Sequence, residues 1–453
     1  MLPVTETEDL FRTLAFAAPG HGEVSREAKV ADTGAVRAES SAALELRRRG
    51  EILDVASQLF GSNGLRVSLE EIATACGIKP GSLYHHFDSK EAILVELVQR
   101  YHADLDRVAE RFAAVPAAGS ANAEDQILAL AHAIADCATR HSAALHFTFY
   151  DPPGAAGDEL IRLAQREPTA IRAAMLSALK AGVSAGFIRS GLDLDVISDR
   201  FCQTMLHVGI GLFHSSSTDA VATRLAEIVL FGVAAQSPRN ADLDKSRALV
   251  AVKDVVRSWP RTVVADPGDR AAWLRSVART EFGRRGYEVT TVRDIAAAAG
   301  LGTGSVYRVI GSKEELLTSI MREFSEKAIA GWTAALGSDS TTIEKLDAVC
   351  WLQINVIDRC YDEFRIQLAW LRQVPPEIPS LGWSFPQLLK ALRVELAAGV
   401  KAGDVRIDRP SSDLAARCVI DMTWVPKNIV DALGAKGAMQ HSRDTFLRGI
   451  AKR

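Results

Sequence analysis

A stretch of 23 residues occurs twice in this 453-residue chain, and that duplication limits the possible folds more than any other feature. The first copy, IATACGIKPGSLYHHFDSKEAIL, runs from Ile72 to Leu94; the second, IAAAAGLGTGSVYRVIGSKEELL, runs from Ile295 to Leu317. At the shift of 223 that sets Ile72 on Ile295, Gly77, Gly81, Ser82, Tyr84, Ser89, Lys90 and Glu91 meet Gly300, Gly304, Ser305, Tyr307, Ser312, Lys313 and Glu314 without a gap.

Each copy reads as a helix-turn-helix with a third helix leaving it. Ser68 stands before LEEIATAC with Glu71 three residues on, so a capping box starts a short helix whose apolar Leu69, Ile72 and Ala73 share a face. Thr291 and Asp294 repeat the arrangement with a shorter acid as the weaker partner. Gly77 and Gly300 sit where a left-handed residue ends one helix and turns the chain sharply into the next, the turn that DNA-binding helix pairs use. The helix that follows exposes Lys79, Gly81, Ser82, Tyr84, His85 and His86: small groups that admit close approach, beside donors for base edges and phosphates. Asp88 and Glu91 are expected to cap the next helix, leaving Lys90 in its first turn, where a cation opposes the macrodipole unless an anion is near.

The pattern G-x-x-x-G-S-L-Y-H-H-F-x-S-K-E, following I-A-x-x-x-G, resembles the DNA-binding domain of TetR-family transcriptional regulators. The likeness extends to the preceding helix, where Ala56, Phe60 and Gly64 match Ala278, Phe282 and Gly286. It departs in two places: the first copy has one residue fewer between Gly64 and Ile72, and Val309 and Ile310 stand where the first copy has His86 and Phe87, which removes one phosphate ligand. The resemblance implies an all-α fold of two fused units, each a helix-turn-helix domain plus a helical ligand-binding and dimerisation core. It implies double-stranded operator DNA and a small-molecule effector as partners, with no cofactor and no metal. Tyr84 and Tyr307 are then expected on phosphates, with Lys90 and Lys313 beside them. Ser82, His85, Ser305 and Arg308 are expected to reach bases, Arg308 a guanine. Arg48, Ser68, Lys79, Gly81, His86, Thr291, Thr303 and Gly304 complete the expected DNA surface. RRGEILDVASQLF and the later G-F-I-R-x-x-L-D-x-D-x-I of the first unit resemble actinobacterial regulators of sterol and fatty-acid breakdown, which points to a lipid or acyl-CoA effector.

Length predicts two to four domains, and 48% hydrophobic residues are ample for helical cores. A net charge of -3 argues against a protein that coats nucleic acid indiscriminately, so the basic face must be local: Arg47, Arg48, Arg49, Lys79 and Lys90 supply it. The six cysteines show no CxxC pair and read as buried thiols without a metal partner. No apolar run is long enough to span a membrane, and the acidic start MLPVTETEDLF is unlike a secretory signal, so a cytoplasmic protein is expected. The cores hold His, Ser and Asp, yet none in a recognisable nucleophile motif, and the lone G-x-G at Gly302 to Gly304 is weak; no enzyme is expected.

The chain divides as a disordered extension over 1–43, a first helix-turn-helix domain over 44–100, a first core over 101–235, a linker over 236–268, a second helix-turn-helix domain over 269–323 and a second core over 324–453. Arg47 to Arg49 read either as a solvated helix start or as phosphate contacts. In LHFTFYD, Phe147, Phe149 and Tyr150 read as ordinary core or as an aromatic pocket wall. In the second core Gln353, Asn355, Arg365 and Gln367 form a polar helix face or, if the helix is central, groups that orient a ligand. A second internal match, AGVSAGFIR against AGVKAGDVR, follows a shift of 217 (Gly182 to Gly399), with Arg200 and Met205 on Arg417 and Met422. By the resemblance, 195–213 and 220–235 pair with 411–424 and a final helix near 440–450. One chain then supplies both halves of a dimer, the alternative being a further homodimer of two such chains. Because KPGSLYHH and GTGSVYRV differ, an asymmetric operator is expected, with half-sites about 34 to 36 Å apart. The competing reading is a helical ligand-binding or interaction protein whose second motif has lost DNA binding.

Overall fold

The structure is a computed structural model and describes residues 29–63, 67–113, 123–148, 156–210, 216–259, 268–372 and 385–452. A short unit ends at Glu51 and a large one begins at Ile52. Helix α1 (Lys29–Asn63) already includes residues 29–43, which the sequence assigned to a disordered extension. The reason is local: the run from Ala35 to Arg49 is rich in Ala, Glu, Leu and Arg, all strong helix formers.

In the large unit, α2 (Leu69–Ala75), α3 (Pro80–Tyr84) and α4 (Lys90–Ala113) follow the first motif, then α5 (Ala123–Arg140), α6 (Ser142–Thr148), α7 (Asp158–Ala164), α8 (Thr169–Ser184), α9 (Leu194–His207) and α10 (Thr218–Phe231). Two connecting helices, α11 (Asn240–Leu243) and α12 (Arg247–Arg257), lead to α13 (Arg270–Arg285), α14 (Val292–Ala299) and α15 (Thr303–Ile310) of the second motif. The chain ends with α16 (Lys313–Leu336), α17 (Thr342–Arg359), α18 (Tyr361–Arg372), α19 (Phe385–Ala402), α20 (Asp413–Thr423) and α21 (Lys427–Ser442). No strand occurs among the described residues, only two isolated bridges, Ile188 to Ala451 and Ala234 to Val405.

The segment read as a linker is more than a tether. Ser246 caps α12, and Ala248, Leu249, Val252 and Val256 fall on one helical face and are buried against α16 and α17. Arg359 donates to the Val256 carbonyl at 3.1 Å, Ser340 Oγ accepts from Ala248 N–H at 3.1 Å, and Lys253 lies over the Trp351 ring at 5.6 Å. The helix therefore completes the second core.

The last helix also differs from expectation. It begins at Lys427, breaks at Gly434 (φ 65°, ψ 169°) and passes into a π-helical turn at Arg443–Leu447. Arg443 sits in that turn and forks onto Asp347 of α17 at 2.8 and 2.9 Å, with both side chains buried.

The two halves of the large unit are clasped by backbone, and the clasp obeys the 217 shift. Val233 and Ala234 N–H donate to Phe446 and Leu447 carbonyls at 2.9 and 3.0 Å; reciprocally, Ile450 and Ala451 donate to Val229 and Leu230 at 3.1 and 2.7 Å. Arg406 and Ala235 N–H bond Val233 and Asp404 carbonyls, both at 2.8 Å, while Arg189 and Lys452 bond Ile450 and Phe187 at 2.9 and 2.7 Å. The tail after each last helix thus pairs with the opposite half, an isologous arrangement inside one chain. Gly232 (φ 69°) and Gly449 (φ 74°) make it possible. A Cβ on Gly449 would lie 2.2 Å from the Phe231 carbonyl carbon, and one on Gly232 2.4 Å from the Leu447 oxygen.

Candidate nucleic-acid interface

Both motifs are built on the caps read from the sequence. Glu71 N–H donates to Ser68 Oγ at 3.2 Å and Ser68 N–H to Glu71 Oε2 at 2.6 Å. In the second copy Asp294 N–H donates to Thr291 Oγ1 at 3.2 Å and Thr291 N–H to Asp294 Oδ2 at 2.8 Å, so the shorter acid closes its box equally well. Ser68 and Thr291, assigned to the DNA surface, use their hydroxyls in these boxes. Hydrogen bonding to Ser68 lowers the Glu71 pKa, and bonding to Thr291 lowers that of Asp294.

The turn glycines behave alike. Gly77 and Gly300 have φ of 65° and 68°, and a Cβ would meet nothing within 4 Å at either, so backbone conformation alone selects glycine. Ile78 N–H to Ala73 carbonyl at 3.0 Å and Leu301 N–H to Ala296 carbonyl at 2.9 Å close both turns.

Each reading helix is held by one fully buried residue, Leu83 or Val306, which turns the opposite face outward. Lys79, Gly81, Ser82, Tyr84 and His85 are exposed in the first copy, and His86 is half-buried; Thr303, Gly304, Tyr307 and Arg308 are exposed in the second, and Ser305 is half-buried. Tyr84 and Tyr307 are each 52% exposed, a large uncovered aromatic surface at matching positions. A Cβ on Gly81 or Gly304 would meet nothing within 4 Å, so these faces are open to close approach.

The copies diverge at their ends. Helix α3 stops at Tyr84, and Phe87 is buried; α15 continues through Val309 and Ile310 to Gly311 (φ 71°). Val309 and Ile310 pack partly against the core, so the exchange that removes His86 also supplies the apolar contact that Phe87 makes in the first copy. The cap of α4 corrects the sequence reading. Ser89 Oγ, not Asp88, accepts from Ala92 N–H at 3.1 Å, and Glu91 reaches away to Gly157 N–H at 2.8 Å. Ser312 and Glu315 form a full capping box at the matching place, and Glu314 accepts from Tyr287 Oη at 3.2 Å. The two lysines then differ. Lys90 is half-buried and its pKa is lowered by burial, against an opposing pull from Glu71; Lys313 Nζ lies 4.0 Å from the Tyr287 ring centroid. In the short unit Arg48 pairs with Glu51 at 2.8 Å.

The residues singled out for ligand binding fare unequally. Phe147 is buried in the core at 2% exposure, and Phe149 and Tyr150 lie outside the described residues. Gln353 and Gln367 come together on a cavity of about 20 Å³ with Trp332, Phe385 and Trp424; a groove of about 430 Å³ between α16 and α19 shares Ala328, Trp332, Phe385 and Leu388 with it. Asn355 is occupied locally, donating to the Trp351 carbonyl at 2.8 Å, and Arg365 donates to the Arg284 carbonyl of α13 at 3.3 Å. Cys137 and His141, one helical turn apart, meet Asp104 with ligating atoms within 4.8 Å, a spacing the cysteine reading overlooked. His141 Nε2 is 2.6 Å from the Asp104 carboxylate, and Arg107 and Arg140 also pair with it, which satisfies the acid without an ion.

Similarity to known proteins follows this geometry. The model of bacterial regulatory proteins of the tetR family matches at residues 52–97 and again at 274–320. The transcriptional repressor KstR2 of Rhodococcus jostii is 32% identical over 199 residues, covering 43% of this chain and 93% of the relative. KstR2 of Mycolicibacterium smegmatis is 28% identical over 163 residues, 36% of this chain and 79% of the relative; the Escherichia coli regulator UidR is 40% identical over 65 residues, 14% of this chain and 32% of the relative. A solved structure of the ketosteroid transcriptional regulator KstR2 of Mycobacterium tuberculosis matches 40% of this chain and 92% of its own at 25% identity and a TM-score of 0.31. Two complete helix-turn-helix motifs, each matched by the family model, and a relative aligned over nearly its whole length show that the chain belongs to the TetR family, as a tandem DNA-binding transcriptional regulator.

Proposed function

We propose that the chain is an effector-responsive repressor whose two reading helices, supplied by one polypeptide, bind an asymmetric operator. The observation that carries this is the pairing of like scaffolds with unlike outward faces: Lys79, Ser82, Tyr84 and His85 against Thr303, Ser305, Tyr307 and Arg308 on the same cap, turn and anchor. Among the described residues none of these eight side chains takes a hydrogen bond or ion pair within the protein, so their donors are available to DNA. Tyr84 and Tyr307 then bind phosphates with Lys90 and Lys313, while His85 and Arg308 read bases. The 44–100, 101–235, 236–268, 269–323 and 324–453 division is the functional one in this reading, with α1 reaching back across the 43/44 boundary to Lys29 and α12 serving both as connection and as part of the second core.

The effector enters the second half, where Gln353 and Gln367 supply amide groups beside the apolar groove of Trp332, Leu336, Phe385 and Leu388. That lining suits a flat or chain-like lipid with one polar end, in keeping with the lipid or acyl-CoA effector implied by the first unit's resemblance to actinobacterial regulators of sterol and fatty-acid breakdown. DNA and effector affinities are then reciprocally coupled. No catalytic role is assigned, and the site of action is the cytoplasm. Val309 and Ile310 support a second reading, in which only the first motif binds DNA. Gel shifts of the full chain on its own upstream DNA, with Tyr84→Ala and Tyr307→Ala compared, separate the two. Loss in both variants supports two working helices; binding untouched by Tyr307→Ala leaves the second reading standing.

A further inference from the structure

A cavity of about 240 Å³ lies between the two halves, and the internal shift of 217 runs through it. His207 and Ile210 of the first half line it, and so do Trp424 and Lys427, the residues that the shift sets on them. The cavity therefore straddles the pseudo-twofold relation between the halves, where two identical subunits would present the same residues from both sides. Here the sides differ. The second half brings Lys427 where the first brings Ile210, and α18 adds Arg365. The two cations bracket the Tyr361 ring, with Arg365 Cζ 5.9 Å and Lys427 Nζ 5.8 Å from its centroid. Neither Asp nor Glu is among the described residues that line the cavity, and Ile357, Phe364 and Leu368 add apolar surface beside the cations.

Each cation has a partner that a ligand acid can displace. Lys427 pairs with Asp431 one turn on, an exposed ion pair of the kind that contributes little. Arg365 donates at 3.3 Å to the Arg284 carbonyl near the end of α13, the first helix of the second helix-turn-helix domain. Helix α18 also grips α13 through Thr280 Oγ1, which donates to Asp362 Oδ2 at 3.1 Å, and through Arg279, 3.5 Å from Glu363. We propose that this cavity is a second ligand site, apart from the groove between α16 and α19, which takes one small apolar carboxylate per chain. The acid lies on Arg365 and Lys427, and the apolar body lies against Phe364 and Trp424. Guanidinium and ammonium together favour a carboxylate over a neutral group of the same shape, and cations on one side alone fix which way the molecule lies. Drawing Arg365 onto the ligand weakens its bond to the Arg284 carbonyl, so occupancy acts on the second helix-turn-helix domain. The site goes beyond the effector reading above and does not depend on it.

The test titrates the full chain with benzoate and with its uncharged analogue benzamide by isothermal calorimetry. Wild type is expected to bind benzoate at one site, about tenfold tighter than benzamide. Lys427→Gln and Arg365→Gln should each abolish that preference, and Lys427→Arg should retain it. Ala391→Trp, which fills the groove between α16 and α19 from an exposed position, should leave it unaltered. Bound benzoate should also speed amide exchange in the peptide from Arg279 to Gly286, in wild type and not in Arg365→Gln. No benzoate binding, equal affinity for benzamide, or a preference that survives both glutamine variants overturns the junction site and leaves the effector groove standing. Loss of benzoate binding in Ala391→Trp alone assigns the probe to the groove, which overturns this site and supports the other. Exchange unaltered by saturating benzoate overturns the coupling to the second helix-turn-helix domain.

Discussion

Replacing Gly449 by alanine strikes the point where the two halves exchange their tails. The added Cβ would meet backbone on three sides: the Phe231 carbonyl carbon at 2.2 Å, Gly232 N at 2.4 Å and the Leu230 oxygen at 2.5 Å. None of these atoms can rotate aside, so the tail must withdraw. Withdrawal breaks the bonds from Ile450, Ala451 and Lys452 N–H and the one that the Ile450 carbonyl accepts from Arg189. At roughly 0.5 to 1.5 kcal/mol each these amount to about 2 to 6 kcal/mol, and a positive φ of 74° adds about 1 kcal/mol for a residue with a Cβ. Gly77→Ala is the control, because there the φ of 65° is the whole penalty and no atom lies within 4 Å; it should cost only about 1 to 2 kcal/mol. Amide hydrogen exchange by mass spectrometry on the peptide from Phe446 to Lys452 reads the effect where it occurs. Gly449→Ala should speed exchange there about 100-fold, equivalent to roughly 3 kcal/mol, and speed it reciprocally across Val233 to Ala235. Unchanged protection in both peptides, with a urea midpoint no lower than that of Gly77→Ala, would refute the account of the clasp.

Three further outcomes follow from the same geometry. His441 is buried and held neutral, its pKa pulled down to about 4 first by burial and then by Arg200. Unfolding frees it to take a proton near its ordinary value of 6.5, so the unfolded state binds more protons and stability falls as pH drops from 6.5 through 4. The loss reaches about 3 kcal/mol, and His441→Gln should flatten that part of a stability-against-pH curve; an unaltered curve contradicts the assignment. Lys90→Gln should weaken binding to all sequences alike and reduce the slope of log affinity against log salt by about 1. A loss confined to one base position argues instead for base contact. Arg308→Gln should relax preference at one position of one half-site by about 1 to 3 kcal/mol and leave the other half-site unaltered, as read by competition with single-base operator variants.

The parts of this molecule that were legible in its sequence are those whose cause is local. Ser68 with Glu71 and Thr291 with Asp294 carry their cap within four residues, and Gly77 and Gly300 announce a left-handed turn because other residues avoid it. The outward face of α3 was legible because Lys79, Gly81, Ser82, Tyr84 and His85 are small or polar and suit an exposed face; the anchors that set it, Leu83 and in α15 Val306, are seen only in the structure. Where two local solutions compete the reading slipped: Asp88 and Ser89 both suit an N-cap, and Glu91, free to reach Gly157, decided for Ser89. Helix α12 has a clear apolar face, yet the sequence does not say which core it enters, since α16 and α17 lie far along the chain. The clasp was hidden for a stricter reason. Its bonds run between main-chain atoms of residues such as Ala234 and Leu447, which carry no side-chain signature of their partner. Only the recurrence of Gly232 at Gly449 under the 217 shift marks the place in the sequence.

Central to the account is one chain with two unlike reading helices acting on one operator. Selection of binding sites from random duplex DNA by the purified full chain, with a salt titration of the recovered site, tests it most directly. The account predicts a two-part site with unlike halves spaced about 34 to 36 Å apart, with the arginine of the second helix read out as a guanine in one half only. Recovery of a perfect palindrome, or of a single half-site read by the first helix alone, would contradict it.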